Sequence, residues 1–276
     1  MTMVPIFVIS LATSGKRRES IAGQLRALGM EFEIVDAVDG RSLSEAQLES
    51  VYDPDRATRI LGRPMSRGEV GCALSHQRVY QRICDERIPL ALVLEDDAKI
   101  SEGLSRLHRF LTQTRTPEFD VLSLHARGGW LSKHDTINLA GHTCYRVVSH
   151  GIWHTVGYAI SATGADKLRV AGRVNSLADW PVSCKRLRFY AAFPDLVGHD
   201  AEESTLTMTR KELIANADGL TRTGGYALTA WRASGLYYLL NASRYRDFRD
   251  YLDREGLQPW SRFHPHRKYH FYVELE

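Results

Sequence analysis

The segment 89–98, PLALVLEDDA, constrains the fold of this chain more than any other part of the sequence. Its five consecutive apolar residues, 90–94, have the length of a β-strand that is covered on both faces, as in an α/β sheet. Three carboxylates, Glu95, Asp96 and Asp97, follow the strand directly. Each close pair of such charges near a protein surface repels by roughly 4 kcal/mol, so we expect a positive group beside them.

Ligands of open α/β sheets bind outside the carboxyl ends of the strands. The acidic triplet, residues 95–97, therefore predicts a site where carboxylate oxygens hold a divalent cation and a phosphate-bearing ligand completes the shell of the cation. The alternative is a solvated acidic turn that precedes a helix beginning near Ser101. The triplet alone leaves both interpretations open, and the neighbouring segments favour the first.

The composition is that of a globular protein with enough residues to bury a full core: 276 residues, 43% of them hydrophobic and 25% charged. The net charge of +3 is too small to argue for a nucleic-acid partner. No apolar run approaches the ~20 residues of a transmembrane helix, and the N-terminal apolar stretch is interpreted as a first strand, not as a signal peptide. The four cysteines have no metal-ligand spacing, which predicts reduced core thiols of a cytosolic protein.

Residues 5–35 predict a β-α-β unit, the usual beginning of a nucleotide-binding domain. A buried strand (5–11) leads into a helix (16–28) that ends at Gly29, and a second strand (32–35) follows. Lys16, Arg17 and Arg18 lie in the first turn of the helix, where their charges oppose the helix dipole. A bound diphosphate would explain their position, and a solvated basic face is the alternative.

The segment 68–85 is predicted to form a helix whose first half is rich in small side chains. Such side chains let a helix approach another element or a ligand closely. Ser75 and His76 lie on this helix and face either the sheet or the site, although a helical histidine is more often structural. Upstream, residues 42–45 predict a helix start, and the polar segment that continues to Arg63 has no predicted element.

The second half of the chain gives weaker signals. Strands are predicted at 120–125, 144–148, 156–160 and 188–193, and helices begin near 104 and 161. A loop beginning at 128 has no predicted fold, and 194–204 is predicted to be a polar loop rich in potential ligands. We expect residues 1–205 to form one α/β domain and residues 206–276 a mostly helical extension. The aromatic and basic residues of that extension suit either an anionic membrane surface or an ordinary helical pair.

Several segments together resemble glycosyltransferase family 25, which contains bacterial lipopolysaccharide glycosyltransferases. They are VISL (8–11) with the basic pair at 17–18, FEIVDAVDG (32–40), GEVGCALSH (68–76) and LEDDA (94–98), in the order found in the family. The resemblance is specific over the N-terminal third of the chain. It is weaker at 157–165, Asp179, Pro194 and Ser204, and the last quarter of the chain does not align.

The resemblance implies a GT-A-like fold, with a mixed, mainly parallel sheet flanked by helices. It also implies a UDP-sugar donor, commonly UDP-galactose, a divalent metal, and inverting transfer to a lipooligosaccharide, another glycolipid or an oligosaccharide acceptor. No nucleic-acid partner is expected, and a cytoplasmic location with peripheral contact to the inner membrane would suit such an acceptor.

The acidic triplet stands where the family has its DxD motif, with glutamate in the first position. Asp97, helped by Glu95 or Asp96, would hold Mn²⁺ or Mg²⁺ and act with it on the diphosphate. Which two carboxylates bind the metal stays open. A third ligand from His199 would favour Mn²⁺.

Inversion requires a further carboxylate that deprotonates the acceptor hydroxyl. Asp179 is our first candidate, because Trp180 offers a sugar-stacking face beside it, and a surface or capping acid is the alternative. The reserve candidates are Asp200, Glu202 and Glu203.

The donor is expected to contact the strand ends and two helices. Residues that would hold uracil and ribose are Ile9, Ser10, Leu11, Asp36 and Ala37. Arg18 would approach the phosphates. The helix predicted at 68–85 would border the sugar through Glu69, Ser75 and His76. Candidates for stacking on sugars are Trp130, Trp153 and Tyr158, although buried aromatic residues more often belong to the core.

Two other classes of function stay open. A nucleotidyltransferase also uses acids after a strand, but it would release pyrophosphate from a nucleoside triphosphate. A non-catalytic glycan- or nucleic-acid-binding module is suggested only by the aromatic and basic C-terminal segment.

Overall fold

A computed structural model of the chain describes residues 3–114, 117–126, 131–147, 154–182 and 186–199. Within these ranges the chain forms an eight-stranded sheet, a two-stranded sheet and six helices. None of the described helices has the length and apolar character needed to cross a bilayer. The predicted helical extension, 206–276, lies outside the described residues.

The elements follow one another in a mainly alternating order. The first seven are β1 (Ile6–Ser10), α1 (Gly15–Ala27), β2 (Glu33–Asp36), α2 (Glu45–Val51), α3 (Pro54–Leu61), α4 (Arg67–Asp85) and β3 (Leu90–Glu95). The remaining nine are β4 (Ala98–Ile100), α5 (Glu102–Gln113), β5 (Val121–Ser123), β6 (Leu131–Leu139), β7 (His142–Val147), β8 (Gly157–Ser161), α6 (Ala162–Leu168), β9 (Phe189–Phe193) and β10 (Val197–His199).

The large sheet has the strand order β2-β1-β3-β8-β5-β9-β7-β6. Strand β1 is parallel to β2 and β3, and β5 is parallel to β9. Strand β8 is antiparallel to both β3 and β5, and β7 is antiparallel to both β9 and β6. Six of the eight strands therefore run in one direction, which confirms the predicted mixed, mainly parallel α/β sheet and brings the carboxyl ends of β1, β2 and β3 to one edge.

Strand β3 lies in the middle of the core, as its unbroken apolar run predicts. Leu90, Leu92 and Leu94 pack in one hydrophobic cluster with side chains from α1 and α5. Ala91 and Val93 point to the opposite face and pack with side chains from α4 and α6. Helices thus cover both faces of this strand, so its acidic end is the first part of it that reaches the surface.

Helix α4 packs unusually close to the loop that follows β2. A Cβ atom built on Gly71 would lie 2.5 Å from the carbonyl oxygen of Val38, and one on Gly40 would lie 1.8 Å from the carbonyl oxygen of Arg67. Ser75 Oγ accepts a hydrogen bond from the Val38 backbone N–H at 2.9 Å and donates one to the Gly71 carbonyl at 2.6 Å. The small residues of α4 therefore serve contact with another element, one of the two roles predicted for them.

Three parts of the chain differ from the sequence predictions. The helix start predicted at 42–45 is confirmed by α2 with its N-cap Ser44, but the polar segment after it also contains α3, which begins at the N-cap Asp53. The segment 194–204, predicted to be a loop, contains β10, and the unassigned region after 130 contains β6. The three-residue strands β4 and β10 are stabilised by pairing with each other. Three residues are too few to show the alternation of apolar and polar side chains that identifies a strand in a sequence.

The contact between α4 and the 38–40 loop predicts that Gly71→Ala destabilises the protein. The added methyl would meet backbone atoms that cannot rotate away, so we expect a loss of about 1–3 kcal/mol in the free energy of unfolding. Gly23→Ala is the matched control, because Gly23 lies in α1 and a Cβ atom at this position would have no neighbour within 4 Å. That variant should be as stable as the wild type or gain up to about 1 kcal/mol from helix propensity. Urea unfolding followed by circular dichroism measures both, and equal stability of the two variants would refute the close contact.

Candidate functional site

The carboxyl ends of the first three strands bring several predicted donor-binding residues beside the acidic triplet. In the parallel register, Glu95 lies opposite Ile9, and Ser10 lies opposite Asp36. The backbone N–H of Ala37 donates to the carbonyl of Ser10 at 2.9 Å. These positions therefore form one continuous strip of the sheet edge, as expected for an α/β ligand site.

Asp96, the second acid of the triplet, forms an ion pair with Arg17. Its Oδ2 accepts a hydrogen bond from Ser10 Oγ at 2.6 Å, and its Oδ1 accepts one from an Arg17 guanidinium nitrogen at 3.2 Å. Burial raises the pKa of Asp96, and these two bonds act in the opposite direction by favouring the carboxylate. Arg17 thus compensates part of the repulsion expected in the triplet. The next residue, Arg18, is the one that the sequence predicts to approach a phosphate.

Arg18 instead joins the ends of β1 and β2. Its guanidinium donates to the carbonyls of Ser10 and Leu11 at 2.8 and 3.0 Å and forms an ion pair with Asp36. These contacts hold the two strand ends in place. The predicted contact of Arg18 with a phosphate stays a prediction, and the structure adds a positioning role that the sequence did not indicate.

Glu95 belongs to a buried network that extends below the sheet edge. Its Oε1 accepts a hydrogen bond from Thr155 Oγ1 at 2.6 Å and lies 3.3 Å from His76 Nε2. The other ring nitrogen of His76 lies 2.7 Å from the Tyr158 hydroxyl, which in turn lies 3.2 Å from the Tyr80 hydroxyl. Burial raises the pKa of both tyrosines, so both stay protonated and available as hydrogen-bond donors. The network fixes the imidazole with one nitrogen toward the acidic triplet.

The predicted stacking of Tyr158 on a sugar is wrong. Its side chain is 0% exposed, because it lies in the core between β8 and α4. Its ring contacts the rings of His76 and Tyr80, with centroids 5.8 and 6.4 Å away. No ligand ring can reach it in this arrangement.

Cys72 lies one helical turn before His76 and faces the same site. Its Sγ, a ring nitrogen of His76 and a carboxylate oxygen of Glu95 all lie within 4.8 Å of one another. Burial raises the pKa of the Cys72 thiol, and the charges of Glu95, Asp179 and Asp97 raise it further. The spacing of the cysteines along the chain predicted only a core thiol here. The four-residue separation of Cys72 from His76, on the helix predicted to face the site, was the available signal.

The carboxylate of Asp179 lies close enough to this network to affect the pKa values of its side chains. It occupies a tight turn in which the Trp180 backbone N–H donates to the Ala178 carbonyl at 2.6 Å. Its negative charge contributes to the raised pKa values of Cys72 and Tyr80. The structure therefore brings the candidate base to the same region as the acidic triplet, although the two are far apart in sequence.

The side chain of Trp180 is half-buried, and its predicted stacking on a sugar stays a prediction. Its ring packs against Phe189 and Tyr158, with centroid distances of 4.7 and 5.3 Å and steep interplanar angles. Its indole Nε1 is buried and has no acceptor among the residues that the structure describes. The ring thus contributes to the core beside Asp179.

Pairing of β4 with β10 brings the position of the predicted third metal ligand next to the triplet. His199 lies opposite Ala98 in the antiparallel register, one residue from Asp97. Carboxylate oxygens together with one imidazole are a donor set that suits Mn²⁺ or Mg²⁺. The residue types at this edge therefore fit the divalent cation that the resemblance implies.

Two residues predicted to border the donor sugar have structural contacts, and their place beside the sugar stays a prediction. Glu69 accepts two hydrogen bonds from the Arg63 guanidinium, at 2.8 and 2.7 Å, and forms a capping box with Ser66 at the start of α4. Ser75 holds α4 against the 38–40 loop through its bond to Val38. Five further candidates lie outside the described residues: Trp130, Trp153, Asp200, Glu202 and Glu203.

Comparison with known proteins identifies a family over most of the described chain. The sequence model of glycosyltransferase family 25, described as LPS biosynthesis protein, matches residues 3–179. The matched part contains the acidic triplet, all of α4 and Asp179. It thus includes every element that builds the site except β9 and β10.

Individual relatives come from animals. Procollagen galactosyltransferase 1-A of Xenopus laevis is 30% identical over 172 residues, which cover 61% of this chain and 28% of the relative. A glycosyltransferase 25 family member of Aedes aegypti is 31% identical over 176 residues, covering 59% of this chain and 27% of the relative. The probable inactive glycosyltransferase 25 family member 3 of Rattus norvegicus is 28% identical over 167 residues, covering 59% and 29%. The alignments thus cover less than a third of the length of these relatives.

Proposed function

This chain belongs to glycosyltransferase family 25, and on that basis we propose that it transfers galactose from UDP-galactose, with inversion, to a lipooligosaccharide or lipopolysaccharide acceptor. One observation carries the proposal. The acidic triplet, the strand ends expected to hold the nucleoside, and Asp179 all lie in one region around the carboxyl ends of β1 and β3.

The leaving diphosphate needs positive charge as its bond to the sugar breaks. Asp97 and His199, with Glu95 or Asp96, would hold a divalent cation, which supplies Lewis-acid stabilisation of that diphosphate when bound. Arg17 adds fixed positive charge at the same edge through its contact with Asp96.

The nucleoside would lie along the strip formed by the ends of β1 and β2. Arg18 holds these strand ends together, so the backbone groups near Ser10 and Ala37 are fixed before the donor arrives. Such preorganisation lowers the cost of binding. In this arrangement Arg18 acts as a positioning residue for the donor site.

The acceptor hydroxyl would lose its proton to Asp179 while its oxygen attacks the anomeric carbon. The bond from that carbon to the diphosphate oxygen breaks on the opposite face, and its electron pair leaves with UDP. The proximity of Asp179 to the buried Cys72–His76–Glu95 region, seen in the pKa of Cys72, supports this role.

The choice of acceptor rests on the description of the family. Its sequence model is described as LPS biosynthesis protein, which favours a bacterial surface glycan and a location at the cytoplasmic face of the inner membrane. The name of the Xenopus laevis relative instead points to procollagen as acceptor. Because the name of the Rattus norvegicus relative includes the word inactive, a non-catalytic role is the second candidate.

A transfer assay tests the proposed reaction. We expect the full chain with UDP-galactose and Mn²⁺ to galactosylate lipooligosaccharide, and to release UDP in equal amount, while procollagen polypeptide stays unmodified. Mass spectrometry of both acceptors measures this. Transfer to procollagen alone would overturn the acceptor, and a folded protein that turns over no UDP-sugar with either acceptor would favour the non-catalytic role.

Asp97→Asn tests the assignment of the cation. The variant should lose turnover by about 10²-fold or more, because the amide removes one negative ligand from the cation beside the diphosphate. It should also lose the increase in melting temperature that UDP and Mn²⁺ together give the wild type, since a ligand at a hundred times its Kd stabilises by about 2.7 kcal/mol. Asp55→Asn, the same change at an exposed position of α3, should keep both properties. Normal activity of Asp97→Asn would exclude this carboxylate as a ligand.

Asp179→Asn tests whether Asp179 acts as the base without contributing to donor binding. We expect kcat to fall by about 10²–10⁴-fold because the acceptor proton has no recipient, while the affinity for UDP stays close to that of the wild type. Asp166→Asn, an exposed acid of α6, is the control and should leave kcat unchanged. An equal loss of UDP affinity and of kcat in Asp179→Asn would remove Asp179 from the base role.

A further inference from the structure

We propose that Cys72, His76 and Glu95 form a binding site for Zn²⁺, separate from the oxygen-ligand cation site at Asp97. One sulfur, one imidazole nitrogen and one carboxylate oxygen from these residues lie within 4.8 Å of one another. Such a site does not depend on the proposed transferase activity.

The spacing of the three ligand atoms is close to that of an occupied zinc site. With Zn–S near 2.3 Å and Zn–N and Zn–O near 2.0–2.1 Å, a tetrahedron places the nitrogen and oxygen about 3.4 Å apart, and sulfur about 3.6 Å from either. His76 Nε2 and Glu95 Oε1 already lie 3.3 Å apart. A shift of at most about 1.2 Å at Cys72 Sγ, the difference between the 4.8 Å limit and 3.6 Å, completes three ligands.

The surroundings orient the imidazole as zinc sites in proteins require. His76 Nδ1 lies 2.7 Å from the Tyr158 hydroxyl, and Tyr158 donates to the Tyr80 hydroxyl. In a zinc site Nδ1–H would donate to the Tyr158 hydroxyl, and Nε2, on the side of Glu95 Oε1, would bind the cation. The outer hydrogen bond then fixes the ligating tautomer.

The backbone supports the site rigidly on one side. Cys72 and His76 are separated by one turn of α4, and Gly71 and Ser75 hold that turn against the 38–40 loop. Glu95 comes from the end of β3, whose apolar part is completely buried. Two independent elements of the core therefore bring the ligands together, and this distinguishes the site from a chance surface cluster.

The chemistry of the ligands selects the metal. A thiolate and an imidazole favour Zn²⁺ over Mn²⁺ and Mg²⁺, which prefer oxygen ligands. Binding would convert the Cys72 thiol to a thiolate and release one proton to solvent. Glu95 is 25% exposed and half-buried Cys72 lies beside it, so solvent can supply both the cation and a fourth ligand. An occupied site would withdraw Glu95 from the acidic triplet.

Cobalt provides a direct test, since Co²⁺ replaces Zn²⁺ and a thiolate ligand gives a charge-transfer band in the near ultraviolet. Titration of the untagged full chain should give this band with saturation at one equivalent, and Zn²⁺, but not Mn²⁺, should remove it. The C-terminal histidines His264, His266 and His270 can bind cobalt but cannot give a thiolate band. A wild type without the band overturns the proposal.

Variants assign the band to the site. Cys72→Ser should lose the band, and Cys84→Ser, the same change at another half-buried cysteine of α4, should keep it. Asp97→Asn should also keep it, which separates this site from the donor cation. Persistence of the band in Cys72→Ser would overturn the proposal.

A measurement on the wild type covers the case that Cys72→Ser does not fold. Zn²⁺ at one equivalent should slow alkylation of Cys72 by about 10-fold or more, as followed by mass spectrometry of the peptide, and should leave alkylation of Cys84 unchanged. Equal alkylation rates of Cys72 with and without Zn²⁺ would refute the site.

Discussion

Mutual repulsion of three carboxylates at the end of a buried strand is the constraint around which the site of this protein is built. Each of the first two acids has its own compensation. Asp96 accepts hydrogen bonds from Ser10 and Arg17 of the β1–α1 segment. Glu95 accepts one from Thr155 and lies beside His76 of α4. The contacts that compensate the charges are also those that tie the first helices and strands to β3.

The close approach of α4 to the 38–40 loop has a second effect. Because Gly40 and Gly71 have no side chain to separate these segments, α4 lies near enough to the sheet edge for Cys72 and His76 to reach Glu95. The two motifs that carry most of the family resemblance, at 32–40 and 68–76, are therefore one packing unit. Their residues are constrained by this contact as well as by any ligand.

Long and strongly patterned elements were predictable from the sequence. Five consecutive apolar residues indicated β3, and a glycine in the left-handed region, Gly29 with φ of 64°, ends α1 where predicted. Strands β4 and β10 were missed because each is only three residues long and is stabilised by its partner from another part of the chain. Strand β6 has nine residues, but five consecutive polar residues, 132–136, interrupt any alternating pattern, and its register with β7 is irregular there.

The order of residues alone was enough to establish which charges occur together, where the main strands end, and which family the chain resembles. The partner of each side chain emerged only in three dimensions. Arg17 meets the triplet, Tyr158 packs inward instead of facing a sugar, and Cys72 joins His76 and Glu95. Hydrogen bonds, ion pairs and burial depend on distances of a few ångströms between segments far apart in the chain, and no pattern along a single segment records those distances.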